Sequence, residues 1–304
     1  MAFTAADVKK LREMTGCGMM DCKKALTESD GDMEKAAVYL REKGLAAVEK
    51  KAGRIAAEGL VLAVVRGEKG AIVEVNSETD FVAKNQSFRD FVELVANTVI
   101  DNAPADVDAL LACRVGSGTI AGELREKVLT IGENIKIRRF QYFEGVLVGY
   151  VHAGGTHAVI VKFDADAAVA AKPEFEAYGK DVAMQIAALN PRFRDKSDVT
   201  QDVLDEERTI LVAQMDNDPK MAAKPQQVKE KIAAGKLNKF YEENCLLQQS
   251  FVKNGDLTVE QYTEQTAKQL GGDIKVVGYC RYEKGEGLEK RQDDFAAEVA
   301  SMQK

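Results

Sequence analysis

Over the first fifty residues apolar positions recur at helical spacing. Val8, Leu11 and Met14 share one face behind Thr4 and Asp7, a T-x-x-D capping box that fixes where a helix begins. Gly16 and Gly18 end that helix. A second short helix fits 20–27. Asp30-Gly31-Asp32 then breaks the chain and supplies a cap for a third, which Met33, Ala36, Ala37 and Leu40 line and Gly44 terminates. Three short helices bury little surface, so this bundle suits an attached docking module. Met19 and Met20 fall at a helix junction, where Met is core more often than it is an adaptable contact surface. The Ala-rich stretch 45–57 reads as a helical or extended tether.

Beyond it the period changes. Glu58-Gly59-Leu60-Val61-Leu62-Ala63-Val64-Val65 and Glu144-Gly145-Val146-Leu147-Val148-Gly149-Tyr150-Val151 both open on Glu-Gly and continue as strand-forming runs. Each leads through a Gly-containing turn into a second apolar run, 71–75 or 158–163, which is a hairpin signal. Helical spacing follows, at Phe88, Phe91, Leu94, Val95 and Thr98 in one case and at Phe175, Tyr178, Val182, Ile186 and Leu189 in the other. A closing strand begins near Ile135 in the first unit and Ile274 in the second. The chain therefore carries a duplicated α+β unit with antiparallel sheets.

Glu58 and Glu144 lie 86 residues apart, but Ile135 and Ile274 lie 139 apart. The second unit thus holds about fifty extra residues. They are polar and helix-prone, with Pro219 and Pro225 around a central break, and predict a projecting helical hairpin. Such an arm serves assembly, here a homodimer, or stands as a solvated elaboration. After Tyr282, Gly285 and Gly287 make the chain mobile, and Phe295, Val299 and Met302 line a last helix too short to stand alone.

Composition narrows the function. The chain has 304 residues, 45% of them hydrophobic and 30% charged, so a sizeable core and a solvated surface both fit. Its net charge of -7 argues against a general polyanion binder and so against nucleic acid, although Arg138-Arg139 is locally basic. Five widely spaced cysteines with no C-x-x-C indicate neither a disulfide framework nor a zinc ribbon. Charged residues interrupt every apolar stretch, and no basic-then-apolar leader is visible, so a cytoplasmic protein without membrane contact is expected. The two histidines, His152 and His157, flank one hairpin. With Asp164 and Asp166 they make a poor metal set, because strand alternation sends neighbours to opposite faces. Phosphate-binding glycine loops are absent. No catalytic residue, cofactor or metal is assigned: the chain reads as a binder and not as an enzyme.

The unusual stretch is Ser77-Glu78-Thr79-Asp80-Phe81-Val82-Ala83-Lys84-Asn85, between a hairpin and a helix in the first unit. The second unit lacks its Asp-Phe pair. A tip kept in one of two like scaffolds is a candidate contact. Asp80 caps the following helix and aims Phe81, or touches a partner itself.

Four stretches resemble the bacterial elongation factor Ts family, the guanine-nucleotide exchange factors of elongation factor Tu. They are residues 11–26 (Leu-Arg-Glu-Met-Thr-Gly-Cys-Gly-Met-Met-Asp-Cys-Lys-Lys-Ala-Leu), 78–85, 131–135 (Ile-Gly-Glu-Asn-Ile) and 294–300 (Asp-Phe-Ala-Ala-Glu-Val-Ala), in the family's order. The resemblance implies a ubiquitin-associated-like three-helix domain and tether at 1–55 and core subdomains at 56–141 and at 142–190 with 246–283. It also implies a helical arm at 191–245 and a C-terminal helical module at 284–304. It implies that Asp80 and Phe81, flanked by Thr79 and Val82, intrude beside the partner's magnesium. Lys23, Lys51, Ile131, Gly132, His152, Phe295 and Val299 match further contact positions. Ser250 and Asn254 depart from the family pattern, which more often has Pro or Ala before Phe251 and Asp after Lys253. The competing readings are an adaptor that binds ubiquitin-like folds without exchange activity, an enzyme built on His152 and His157, and an RNA binder built on Arg138-Arg139.

Overall fold

The computed structural model describes residues 3–15 and 17–289. The expected C-terminal helix, with Phe295 and Val299, and the helix stop at Gly16 lie outside them.

Three helices open the chain: α1 (Ala5–Thr15), α2 (Met19–Glu28) and α3 (Met33–Lys51). The Thr4–Asp7 capping box forms, with the Thr4 N–H donating to Asp7 Oδ2 at 2.7 Å and the Asp7 N–H to Thr4 Oγ1 at 3.4 Å. Val8, Leu11, Cys17, Cys22, Ala25, Leu26, Ala36 and Leu40 make the small core. Three expectations fail here. Met14 does not join Val8 and Leu11 but faces solvent, and Met19 and Met20 are also exposed, Met20 by 74%. The inward stripe of α2 consists of Cys22, Ala25 and Leu26 alone. Gly44 does not end α3, which runs on to Lys51 and packs against a helix of the next unit.

The first sheet starts with β1 (Glu58–Arg66) and β2 (Lys69–Ser77), joined by a two-residue loop in which Gly67 adopts a φ of 62°. Then follow α4 (Asp80–Ala83), α5 (Gln86–Asn102), α6 (Val107–Ala112), the small ribbon β3 (Arg114–Val115) and β4 (Gly118–Thr119), α7 (Ile120–Ile131) and β5 (Lys136–Glu144). The second unit has β6 (Val146–His152), β7 (His157–Ala165), α8 (Ala167–Ala170) and α9 (Pro173–Leu189). The arm helices α10 (Gln201–Asn217) and α11 (Gln226–Asn244) come next, then β8 (Ser250–Phe251), β9 (Asn254–Thr258), α12 (Val259–Leu270) and β10 (Ile274–Glu283). Among the described residues no helix is long and apolar enough to cross a membrane.

Both three-stranded sheets are antiparallel, with the second hairpin strand in the middle: β1-β2-β5 and β6-β7-β10. The repetition reaches single residues. Gly59 and Gly145 both take positive φ, at 111° and 116°. A side chain at Gly59 would put its Cβ 2.2 Å from the Val75 carbonyl oxygen, which explains the Glu-Gly start. Ala103 and Asn190 end α5 and α9 in the left-handed region. Thr119 and Thr258 cap α7 and α12, each hydroxyl accepting a backbone N–H at 3.2 Å.

Alternation along β1 explains the layering. Leu60, Leu62 and Val64 face α5 and α7, while Val61, Ala63 and Val65 face the other sheet. Ile72, Leu147, Ala158, Ile160 and Tyr282 complete this inter-sheet core. The molecule is thus helices, sheet, sheet, helices, and strands buried on both faces read as continuous apolar runs. The arm has its own small core of Leu211, Met215, Ala233 and Leu237.

One carboxylate lies between the sheets. Glu74 is fully buried and accepts from Arg139 Nε at 2.6 Å, Arg138 Nη1 at 3.1 Å, Asn76 Nδ2 at 3.1 Å and the Gly285 N–H at 2.8 Å. Arg138 also donates to the Glu286 carbonyl at 2.7 Å. The Gly285 turn, expected to be mobile, is therefore bonded to the sheet. Its φ of 69° lets it sit against Ala57, whose carbonyl oxygen would be 2.1 Å from any Cβ.

Candidate partner-binding site

The chain leaves β2 at Ser77 and enters α4 at Asp80, a turn of only two residues. Val82 and Ala83 anchor α4 in the first core, beneath α5. Their inward orientation turns Phe81 outward, and this aromatic ring is 76% exposed. Lys84 Nζ lies 5.5 Å from the ring centroid and donates to Asp80 Oδ2 at 3.1 Å. Asn85 caps α5 by accepting the Phe88 N–H at 3.4 Å, and Arg89 Nε donates to the Ala83 carbonyl at 2.9 Å.

Asp80 does not cap α4. It is the first residue of the helix, its carboxylate faces solvent and Lys84, and Thr79 holds the N-cap position. Nor does the Thr79 side chain make a cap bond within the helix. It reaches across to Glu133: Thr79 Oγ1 donates to Glu133 Oε1 at 2.6 Å, and the Glu78 and Thr79 N–H groups donate to Glu133 Oε2, both at 3.0 Å. Glu78 returns the arrangement, accepting the Asn134 N–H at 2.6 Å and Arg54 Nη1 at 3.2 Å. Asn134 Nδ2 in turn donates to the Arg54 carbonyl at 2.8 Å. Gly132 ends α7 with a φ of 86°, the turn that delivers Glu133 to the tip.

Thr79, Asp80, Phe81, Val82, Ile131 and Gly132 therefore belong to one neighbourhood. Ile131 is half-buried against the first core, and Gly132 is exposed. Lys51 is close by but already engaged, donating to the Val128 carbonyl at 3.3 Å. Burial and then the charge of Arg54 hold its ammonium below the usual lysine range, against the opposing pull of Glu78, Asp21 and Glu133. Lys23 lies exposed on α2. His152 is at the far end of β6 in the second sheet, exposed, with Nδ1 sharing a hydrogen bond of 2.8 Å with the Tyr150 hydroxyl. His157 lies opposite it in the hairpin and pairs with Glu283 at 3.5 Å. Both basic residues Arg138 and Arg139 turn to Glu74 and the Glu286 region.

Glu78, Glu133, Asn134 and Arg54 carried no role in the sequence reading. Three of them stand inside the stretches quoted above, but their pairing spans 24 to 80 residues and leaves no local pattern.

The second unit supplies a built-in comparison. Val169 and Ala170 of α8 correspond to Val82 and Ala83, while Ala167 and Ala168 stand where Asp80 and Phe81 are. Gly272 stands in place of Glu133 and Ala165 in place of Glu78. The scaffold is repeated without the exposed aromatic residue and without the carboxylates that hold it.

The sequence profile of the family described as elongation factor TS matches residues 78–286. An elongation factor Ts from Trichlorobacter lovleyi is 48% identical over 310 residues, covering 99% of this chain and 98% of the relative. One from Clostridium perfringens is 46% identical over 306 residues, covering 99% of both. One from Magnetococcus marinus is 43% identical over 307 residues, again covering 99% of both.

Proposed function

Because the chain belongs to the elongation factor Ts family, and so to the translation elongation factors, we propose that it is the guanine-nucleotide exchange factor of elongation factor Tu. It acts in the cytoplasm and without covalent chemistry of its own. The Asp80–Phe81 tip enters beside the GTPase's magnesium. That ion demands near-ideal octahedral geometry, so a wedge that shifts its surroundings loosens metal and diphosphate together. The N-terminal helices, through Lys23 and the exposed Met19 and Met20, seat on the nucleotide-binding domain, as do Phe295 and Val299. His152 meets the distal domain.

Linkage sets the energetic requirement. A factor that weakens nucleotide binding is itself weakened by nucleotide in the same ratio. Each tenfold of mutual weakening corresponds to about 1.4 kcal/mol. Burying one Phe supplies about 1.5–3 kcal/mol, enough for one or two tenfold steps. The observation that carries this reading is the exposed Phe81, held at 76% exposure on an anchored turn where the sister unit has Ala168.

Phe81→Ala tests it. The side chain makes no core contact, so stability stays within about 0.5 kcal/mol of the parent. Stimulated release of fluorescent GDP from elongation factor Tu, followed by stopped flow, slows about ten- to a hundredfold. Unchanged release would remove the wedge role.

A further inference from the structure

We propose that Glu133 is the positioning residue of the exchange tip, holding the turn at Glu78 and Thr79 so that Phe81 stays presented; this rests on the exchange reading above. The carboxylate takes three donors from two consecutive residues, at 3.0, 3.0 and 2.6 Å, immediately before α4 begins. A carboxylate accepting several N–H and O–H groups fixes direction as well as distance, because each oxygen is committed. Glu78 closes the arrangement from the other side through the Asn134 N–H at 2.6 Å. Two chain segments thus exchange carboxylates across the gap between β2 and α7, and neither turn can rotate without breaking bonds in both.

The sister unit separates positioning from folding. There α8 forms with the same length as α4, with Val169 buried as Val82 is and Ala170 partly buried against the second core, and Gly271 ends α12 in the left-handed region as Gly132 ends α7. Yet Gly272 has no side chain to reach across, and Asp166, in the place of Thr79, makes no side-chain cap bond. The short helix is therefore built without a clasp. The clasp is present only where the helix carries an exposed aromatic side chain. An isolated Phe on a four-residue helix gains by folding back onto apolar surface. Holding the two residues before the helix opposes that collapse.

A double-mutant cycle reads this directly. In the full-length protein, Glu133→Ala slows stimulated GDP release about tenfold, but changes it less than about twofold when Phe81 is already Ala, because the residue acts through that side chain. Glu133→Gln, which keeps an acceptor oxygen for the two N–H groups, restores most of the rate. Thr79→Val, which removes the hydroxyl that donates to Glu133 Oε1 at 2.6 Å, carries the cycle if the Glu133→Ala variant does not fold. The thermal midpoints of both Glu133 variants stay within a few degrees of the parent, as the clasp-free sister helix implies. A Glu133→Ala effect of equal size with and without Phe81 overturns the positioning role, as does no effect at all while Phe81→Ala slows release. If Phe81→Ala itself left release unchanged, the exchange reading and this inference would fall together.

Discussion

Glu74 shows how one residue ties the two halves of the core to each other. In the sequence it is the single charge in the run Ala71-Ile72-Val73-Glu74-Val75, an ordinary break in a strand. In the structure it is fully buried between the sheets, where two guanidinium groups and the Gly285 N–H satisfy it. Its register counterpart in the second sheet, Lys162, is exposed, so the charge is not a requirement of the repeated scaffold. Removing one member of a buried ion pair leaves the rest uncompensated, which costs about 3–5 kcal/mol. Glu74→Ala accordingly lowers the urea midpoint by that equivalent. Glu74→Gln, which retains an acceptor for the Gly285 N–H, lowers it less. Equal midpoints for parent and Ala variant would mean the cluster contributes no stability. Phe81 is the opposite case: its identity drew attention in the sequence, while its exposure came from the anchoring of Val82 and Ala83 beside it.

Among the elements, those fixed by local chemistry were the legible ones. The capping box at Thr4 and the Glu-Gly strand starts each involve residues within one turn or one hairpin, whereas α7 and α12, with their Thr caps, were not anticipated. Helix α3 continues through Gly44 because a glycine inside a helix costs only about 1 kcal/mol, and the helix packs against α7. A further local device is the 3-10 turn Lys196–Asp198 at the root of the arm. Burial alone would raise the pKa of Asp195. The Ser197 hydroxyl and N–H and the Gln248 amide donate to its carboxylate and prevail, holding it at about 2. The unfolded value is about 3.9. A folded pKa below the unfolded one contributes stability that is complete above about pH 4 and is lost as pH falls towards 2. Asp195→Asn is therefore less stable than the parent at neutral pH, and the difference shrinks between about pH 4 and 2. Denaturant titrations at several pH values check this; a difference constant across that range would assign the stability to something other than the carboxylate.

At the scale of the whole molecule, the two units stack sheet against sheet and the arm leaves the second unit as a separate hairpin. The two ends of the inserted stretch meet: the Arg192 and Phe193 N–H groups both donate to the Asn244 carbonyl, at 2.9 and 3.0 Å. The arm packs chiefly on itself, through Leu211, Met215, Ala233 and Leu237. Replacing 200–243 by a short Gly-Ser linker leaves a protein that unfolds cooperatively, with a midpoint within about 5 °C of the parent. Circular dichroism melts measure it. Loss of the cooperative transition would show that the arm stabilises the core.

The sequence by itself determined the N-terminal helices, the two hairpins with the helices that follow them, the duplication and the approximate size of the insertion, because strand and helix periods, glycine turns and caps act between near neighbours. It also carried the family, since the matching stretches run through the chain in order. Tertiary structure alone decided that Glu133 holds Thr79 across 54 residues and that Glu74 meets Gly285 across 211. It likewise decided between the two roles open to Asp80 in the fold, leaving its carboxylate facing solvent and Lys84 and not capping α4. Those outcomes depend on where the sheets and α7 bring distant segments together, and a buried carboxylate chooses its partners from whatever donors the packed fold supplies.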